Sequence, residues 1–143
     1  MTPAFEEAIR LLRLAQRDNE TFRLLKDIPQ ASLAAVGFHA QQSIEKALKA
    51  VCVLRDIEIR RTHDLAALAE LIRTSGVTPA VDIDTLRLIN PFAVEFRYDD
   101  ELVAPITRDE LDGAVSGILG WAAQCLELAS GIDSVADDRE QRS

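Results

Sequence analysis

The sequence predicts an all-α protein, and three observations carry that expectation. Apolar residues make up 48% of the 143 residues, with Leu and Ala dominant, while aromatics are only 5% and Gly and Pro are few. A sandwich or barrel would need more β-branched and aromatic residues and more turns. Apolar residues recur at helical spacing, and capping residues stand before several of those runs.

The length fits a single domain, expected over residues 1–130, followed by a polar, disordered tail over 131–143. Five helices are expected. The first runs from near Pro3 to near Lys26, with Thr2 as cap, Pro3 at the first helical position, and Ile9, Leu12, Phe22 and Leu25 as its apolar spacing. The second runs from near Ala31 to near Arg55, after the break at Pro29. Thr62 is the expected cap of a third, which reaches Thr74 with Leu65, Leu68, Leu71 and Ile72 inward and ends at Ser75-Gly76. Asp82 or Asp84 starts a fourth, carrying Leu86, Leu88 and Ile89, which Asn90-Pro91 interrupts; 92–97 resumes as helix or irregular turn. Thr107 opens the last helix, to about Ala129, with Glu110 completing a capping box. Gly113, Gly117 and Gly120 share one side of it, which suits close helix approach or a dimer seam, and Trp121 is a core or interface anchor.

Net charge is −8. A chain that grips nucleic acid by charge shows a basic face, so this balance argues against long duplexes while leaving room for a local basic pocket. RNA binding is therefore unsupported by charge. Cys52 and Cys125 lack metal-ligand spacing and are expected to be buried, reduced thiols of a cytoplasmic protein. Two distant histidines make a zinc site unexpected, and no metal or cofactor is called for. There is no signal peptide pattern and no run near the roughly 20 apolar residues that span a membrane.

The second helix carries two patterns. Leu33, Val36, Ala40, Ile44, Ala47, Leu48, Val51 and Leu54 form a core stripe. Phe38, Gln42, Glu45 and Lys49 line the opposite face, with His39 and Lys46 to one side and Gln41 toward the core border. A solvated face does not ordinarily carry Phe, so a helix, a subunit or a ligand is expected to cover it. Gln42, Glu45 and Lys49 supply amide, carboxylate and ammonium groups for a connected network; the plainer reading is a surface of Glu-Lys pairs.

The block Phe38-His-Ala-Gln41-Gln42-Ser-Ile-Glu45-Lys46-Ala-Leu-Lys49-Ala50 resembles the second-helix motif of the HEPN family (higher eukaryotes and prokaryotes nucleotide-binding). His63-Asp64-Leu65, after Arg61-Thr62, resembles the family's His-Asp-Leu turn. Arg97-Tyr98-Asp99 resembles its Arg-Tyr-Pro element, with the proline missing, and Asp18 matches an Asp of the first helix. The resemblance spans roughly Ala4 to Ala129. It implies an antiparallel four-helix bundle with an additional short helix, and a homodimer in many members. Family functions are mixed: ribonuclease toxins, partners of minimal nucleotidyltransferases in toxin-antitoxin-type pairs, and nucleotide-binding modules.

HEPN ribonucleases carry Arg, four to six residues, then His, where His moves protons and Arg stabilises phosphate charge. That spacing is absent: Arg55 stands too far before His63, Arg60 and Arg61 too close, and no His follows Arg97. Without it, His63 is expected to bond backbone at a helix start, with Asp64 favouring the positive end of the helix dipole. Arg97 and Tyr98 suit a phosphate and a base, or a tie from Arg97 to Glu45 or Asp64. The acidic run Asp99-Asp100-Glu101 reads as a solvated loop.

The leading expectation is a nucleotide-binding or regulatory module, acting with a nucleotidyltransferase protein partner. Its ligand-binding or interface residues are Phe38, Gln41, Gln42, Glu45, Lys46, Lys49, His63, Asp64, Arg97 and Tyr98. The alternatives are a metal-independent ribonuclease toxin using His63 and Arg97, and a structural dimerisation domain.

Overall fold

The computed structural model describes residues 2–59, 61–93 and 106–142. Among the described residues five α-helices follow in order: α1 (Pro3–Lys26), α2 (Leu33–Leu54), α3 (Leu65–Thr74), α4 (Ile83–Ile89) and α5 (Arg108–Arg142), with a 3₁₀ turn (Asn90–Ala93) after α4. No strand occurs among the described residues.

Local chemistry sets most helix ends. Thr2 accepts from Phe5 N–H at 3.1 Å with Pro3 in the first turn, and Ser32 caps α2 through Ala35 N–H at 3.1 Å. The capping box at α5 is formed in both directions: Glu110 N–H donates to Thr107 Oγ1 at 3.1 Å and Thr107 N–H to Glu110 Oε1 at 3.0 Å. α3 ends as expected at Gly76, whose φ of 101° lets Val77 N–H fold back onto Ile72 O. Asp56 takes the same left-handed turn after α2, with φ 56°.

Two boundaries and the facing of one residue differ from the sequence reading. The cap of α3 is Asp64, which accepts from Ala67 N–H at 3.1 Å; Thr62 instead accepts from Asp64 N–H at 3.0 Å, bracing the cap from outside the helix. Leu71, expected inward, stands 42% exposed, and Leu88 on α4 is 37% exposed. α5 continues to Arg142, beyond Ala129. Its extension past Ala129 holds no Pro, which would break the hydrogen-bond ladder, although Gly131 and three Asp are weak helix formers.

α2 is the central element, packed against α1, α3, α5 and the 3₁₀ turn. α1 buries Phe5, Ala8, Leu12, Ala15 and Phe22, while Ile9 and Leu25 sit at the edge. Alanines at the α1–α2 seam let the backbones approach closely enough for the buried Ser43 hydroxyl to donate to Ala15 O at 2.7 Å. α5 closes the far side with Leu111, Val115, Ile118 and Ala122, all fully buried, and Trp121 packs half-buried against the same core. Of the four α5 glycines, only Gly117 meets a neighbour, Val81; Gly113, Gly120 and Gly131 face open space, so close approach is local.

Arg108 ties the ends together. Its guanidinium donates to Lys26 O at 3.0 Å, Ile28 O at 2.9 Å and Ala31 O at 2.5 Å, satisfying carbonyls that the end of α1 and the turn to α2 leave open. Arg108→Ala is expected to cost about 1–3 kcal/mol, the range for charge-assisted bonds to partly wet carbonyls. Urea unfolding checks this: the midpoint falls, and Arg108→Lys recovers only part, because one ammonium does not span the set. An unchanged midpoint would show that water replaces the guanidinium at no cost.

Candidate functional site

The site forms where α2 meets the start of α3. α2 has partners on several sides, so its second face is largely covered. Glu45 and Gln41 are buried, at 4% and 0% exposure, whereas spacing alone placed Glu45 opposite the core. A buried carboxylate is costly unless its oxygens are satisfied. Here three donors converge on it: His63 Nδ1 at 2.7 Å, Lys49 Nζ at 3.2 Å and Gln41 Nε2 at 3.3 Å.

Gln41 links the network to backbone. Its Nε2 also donates to His63 O at 3.1 Å, and its Oε1 accepts from Gln42 Nε2 at 2.7 Å. The expected Gln42–Glu45–Lys49 connection therefore exists, but Gln41 is its middle member. A carboxylate only accepts, so the proton on His63 sits on Nδ1, which leaves Nε2 as the ring's second polar atom. The imidazole side chain is 72% exposed while its carboxylate partner is 5% exposed. This corrects the expectation that the His63 ring would bond backbone: α2 brings a carboxylate to it from 18 residues away.

The rest of the His-Asp-Leu turn is held from the 3₁₀ turn. Asn90 accepts from Leu65 N–H at 2.8 Å and donates to Asp64 Oδ1 at 2.9 Å. Sequence reasoning treated Asn90-Pro91 only as a break. An amide beside a helix-stopping proline was the available signal, but its target could not be read from spacing.

The other candidates separate into two groups. Lys46 leaves the Glu45 network and pairs with Asp18 at 2.5 Å across the α1–α2 seam. His39 lies beside the same Asp18 at 3.9 Å, and its ring meets Phe38 edge-on with centroids 5.3 Å apart. Phe38 is half-buried. Arg97 and Tyr98, and the acidic run Asp99-Asp100-Glu101, lie outside the described residues.

Next to the network, burial pushes the Cys52 thiol up to about 11, with Lys49 opposing part of that rise. Burial also raises the Cys125 thiol, although this residue is only half-buried rather than fully enclosed. Because the folded Cys52 value lies above the unfolded one of about 8.5, its contribution to stability is present below the unfolded value and is lost as pH rises toward the folded one. At neutral pH both are thiols, so iodoacetamide is expected to label Cys125 before Cys52 in the native protein and both at once in urea, as mass spectrometry would read out. Equal native rates would contradict the burial of Cys52.

Among the described residues no group of His, Cys, Asp or Glu is arranged to hold a metal ion, and no helix is long and apolar enough to cross a membrane. A family model described as HEPN domain matches residues 8–118, which includes the whole Glu45–His63 network. Comparison with curated proteins and with solved structures gives no significant match.

Proposed function

The chain belongs to the HEPN domain family, and we propose from this that it is a nucleotide-binding, regulatory module whose recognition groups are His63, Lys49 and Gln42. One observation carries the reading: a largely exposed imidazole is held in a single orientation by a buried carboxylate. A purely structural role would be served by enclosing the ring. Fixing it at the surface costs side-chain entropy that a ligand contact offsets. Protonated, Nε2 donates to a phosphate oxygen, and the Lys49 ammonium beside it adds charge.

In this reading nucleotidyl transfer is supplied in trans by a separate nucleotidyltransferase, as in toxin-antitoxin-type pairs, and the module works as a homodimer. The family resemblance supports both parts. A second reading, a metal-independent ribonuclease, is favoured by the Glu45–His63 pair itself, since an oriented imidazole suits proton transfer. The missing Arg-to-His spacing weighs against it. RNA cleavage abolished by His63→Ala would establish it.

The test is a thermal shift with ATP, GTP and AMP. At ligand about 100-fold above Kd, the midpoint is expected to rise by roughly 5–10 °C. Lys49→Ala and His63→Ala are expected to remove most of that rise. The absence of any shift in the wild type, with partner binding unaffected by Lys49→Ala, would leave the structural dimerisation role.

A further inference from the structure

We propose that the groove over the outer face of α3 receives the nucleoside part of a nucleoside monophosphate whose phosphate is met by His63. The inference rests on the nucleotide-binding reading above and adds the position and orientation of the ligand. The groove has a volume of about 590 Å³ and is lined by Glu58, Thr62, Ala67, Glu70, Leu71 and Thr74. Clefts that take small ligands run from roughly 300 to 1,000 Å³.

The lining is mixed in a way that suits a nucleoside. Ala67, Glu70, Leu71 and Thr74 share one face of α3, and no element of the described chain covers it; Leu71 is left 42% exposed. Ala67 and Leu71 make an apolar floor on which a flat base can lie. Glu58 and Glu70 place carboxylates around that floor, acceptors for ribose hydroxyls or an exocyclic amino group. Glu70 also accepts from Arg73 at 3.2 Å and 2.5 Å, an exposed pair on the helix surface.

Charge decides the orientation. Among its described lining residues the groove has two carboxylates and no cation; Arg73 offsets Glu70 but Glu58 stays, so the lining gives a phosphate little to bind. Thr62 lines the groove wall and the next residue is His63. There the cation-capable ring turns outward with Nδ1 on Glu45 and Nε2 unclaimed by the carboxylate. The base and sugar thus occupy the acidic, apolar groove, and the phosphate leaves it toward the exposed His63 ring beyond Thr62.

Calorimetric titration of the full chain with AMP and with adenosine tests this, with circular dichroism confirming that each variant is folded. AMP is expected to bind more tightly than adenosine. Leu71→Ser, at an exposed position, is expected to weaken both by about tenfold, the scale of lost apolar contact in a pocket. His63→Ala is expected to weaken AMP and leave adenosine unchanged. If Leu71→Ser leaves AMP binding intact while His63→Ala reduces it, the groove assignment is wrong and the nucleotide reading stands. AMP binding that is indifferent to His63→Ala overturns the placement of the phosphate. A wild type that binds none of AMP, ATP or GTP removes the nucleotide reading and this inference with it.

Discussion

Glu45→Ala is expected to destabilise the protein and to abolish its response to nucleotides. The carboxylate is 5% exposed and holds three donors. Breaking a fully buried ion pair by removing one partner costs about 3–5 kcal/mol, because the other charge is stranded. That does not apply in full here. Lys49 is 22% and His63 is 72% exposed, so both can turn to water. Gln41 cannot turn out, but it keeps His63 O and Gln42 as partners. The expected cost is therefore about 1–3 kcal/mol, from lost bonds and a small cavity.

The loss of nucleotide response is expected to exceed the loss of stability. Without its carboxylate the imidazole is free to sample several rotamers, and the orientation that the proposed ligand contact needs is lost. Glu45→Gln separates the effects, since it keeps the volume and removes the charge. It is expected to unfold within about 1 kcal/mol of the wild type and still to show a reduced nucleotide shift. A full nucleotide response from Glu45→Ala would show that the dyad does not position the ligand.

The second large effect is expected from Gly37→Ala. A Cβ on Gly37 would stand 2.2 Å from Phe92 Cδ1 and within 2.6 Å of two more ring atoms. Phe92 is 1% exposed, so the ring has nowhere to withdraw. Gly→Ala within a helix would otherwise gain about 1 kcal/mol, which makes the sign of the result diagnostic. Overpacking costs about 1–3 kcal/mol, and at these distances the 3₁₀ turn must lift from α2. A net fall in midpoint of roughly 3–8 °C is expected.

Function should follow, because Asn90 in that turn holds Leu65 N–H and Asp64 at the start of α3. Phe92→Leu on the Gly37→Ala background should restore part of the stability, a coupling that a double-mutant cycle measures. A midpoint that rises with Gly37→Ala would mean that the ring is not seated on Gly37.

These effects mark the division between chain and fold. The sequence by itself determined the helical class, the starts of α1 and α5, the stop at Gly76 and the family resemblance. Each depends on contacts within a few residues, where spacing and side-chain chemistry decide the outcome: Thr2 reaches Phe5, and Thr107 reaches Glu110. The candidate stripe on α2 was legible too, because a Phe among Gln, Glu and Lys is unusual for a solvated face.

The tertiary structure decided how that stripe is used. It buried Glu45 and left His63 out, sent Lys46 to Asp18, seated Phe92 on Gly37, and spread Arg108 over the turn after α1. None of these partners is local. Helical period tells which residues share a face, but burial depends on how many elements pack around the helix, and α2 lies among several. The polar groups of the candidate stripe and turn are thereby divided into a buried carboxylate, Glu45, and an exposed imidazole, His63.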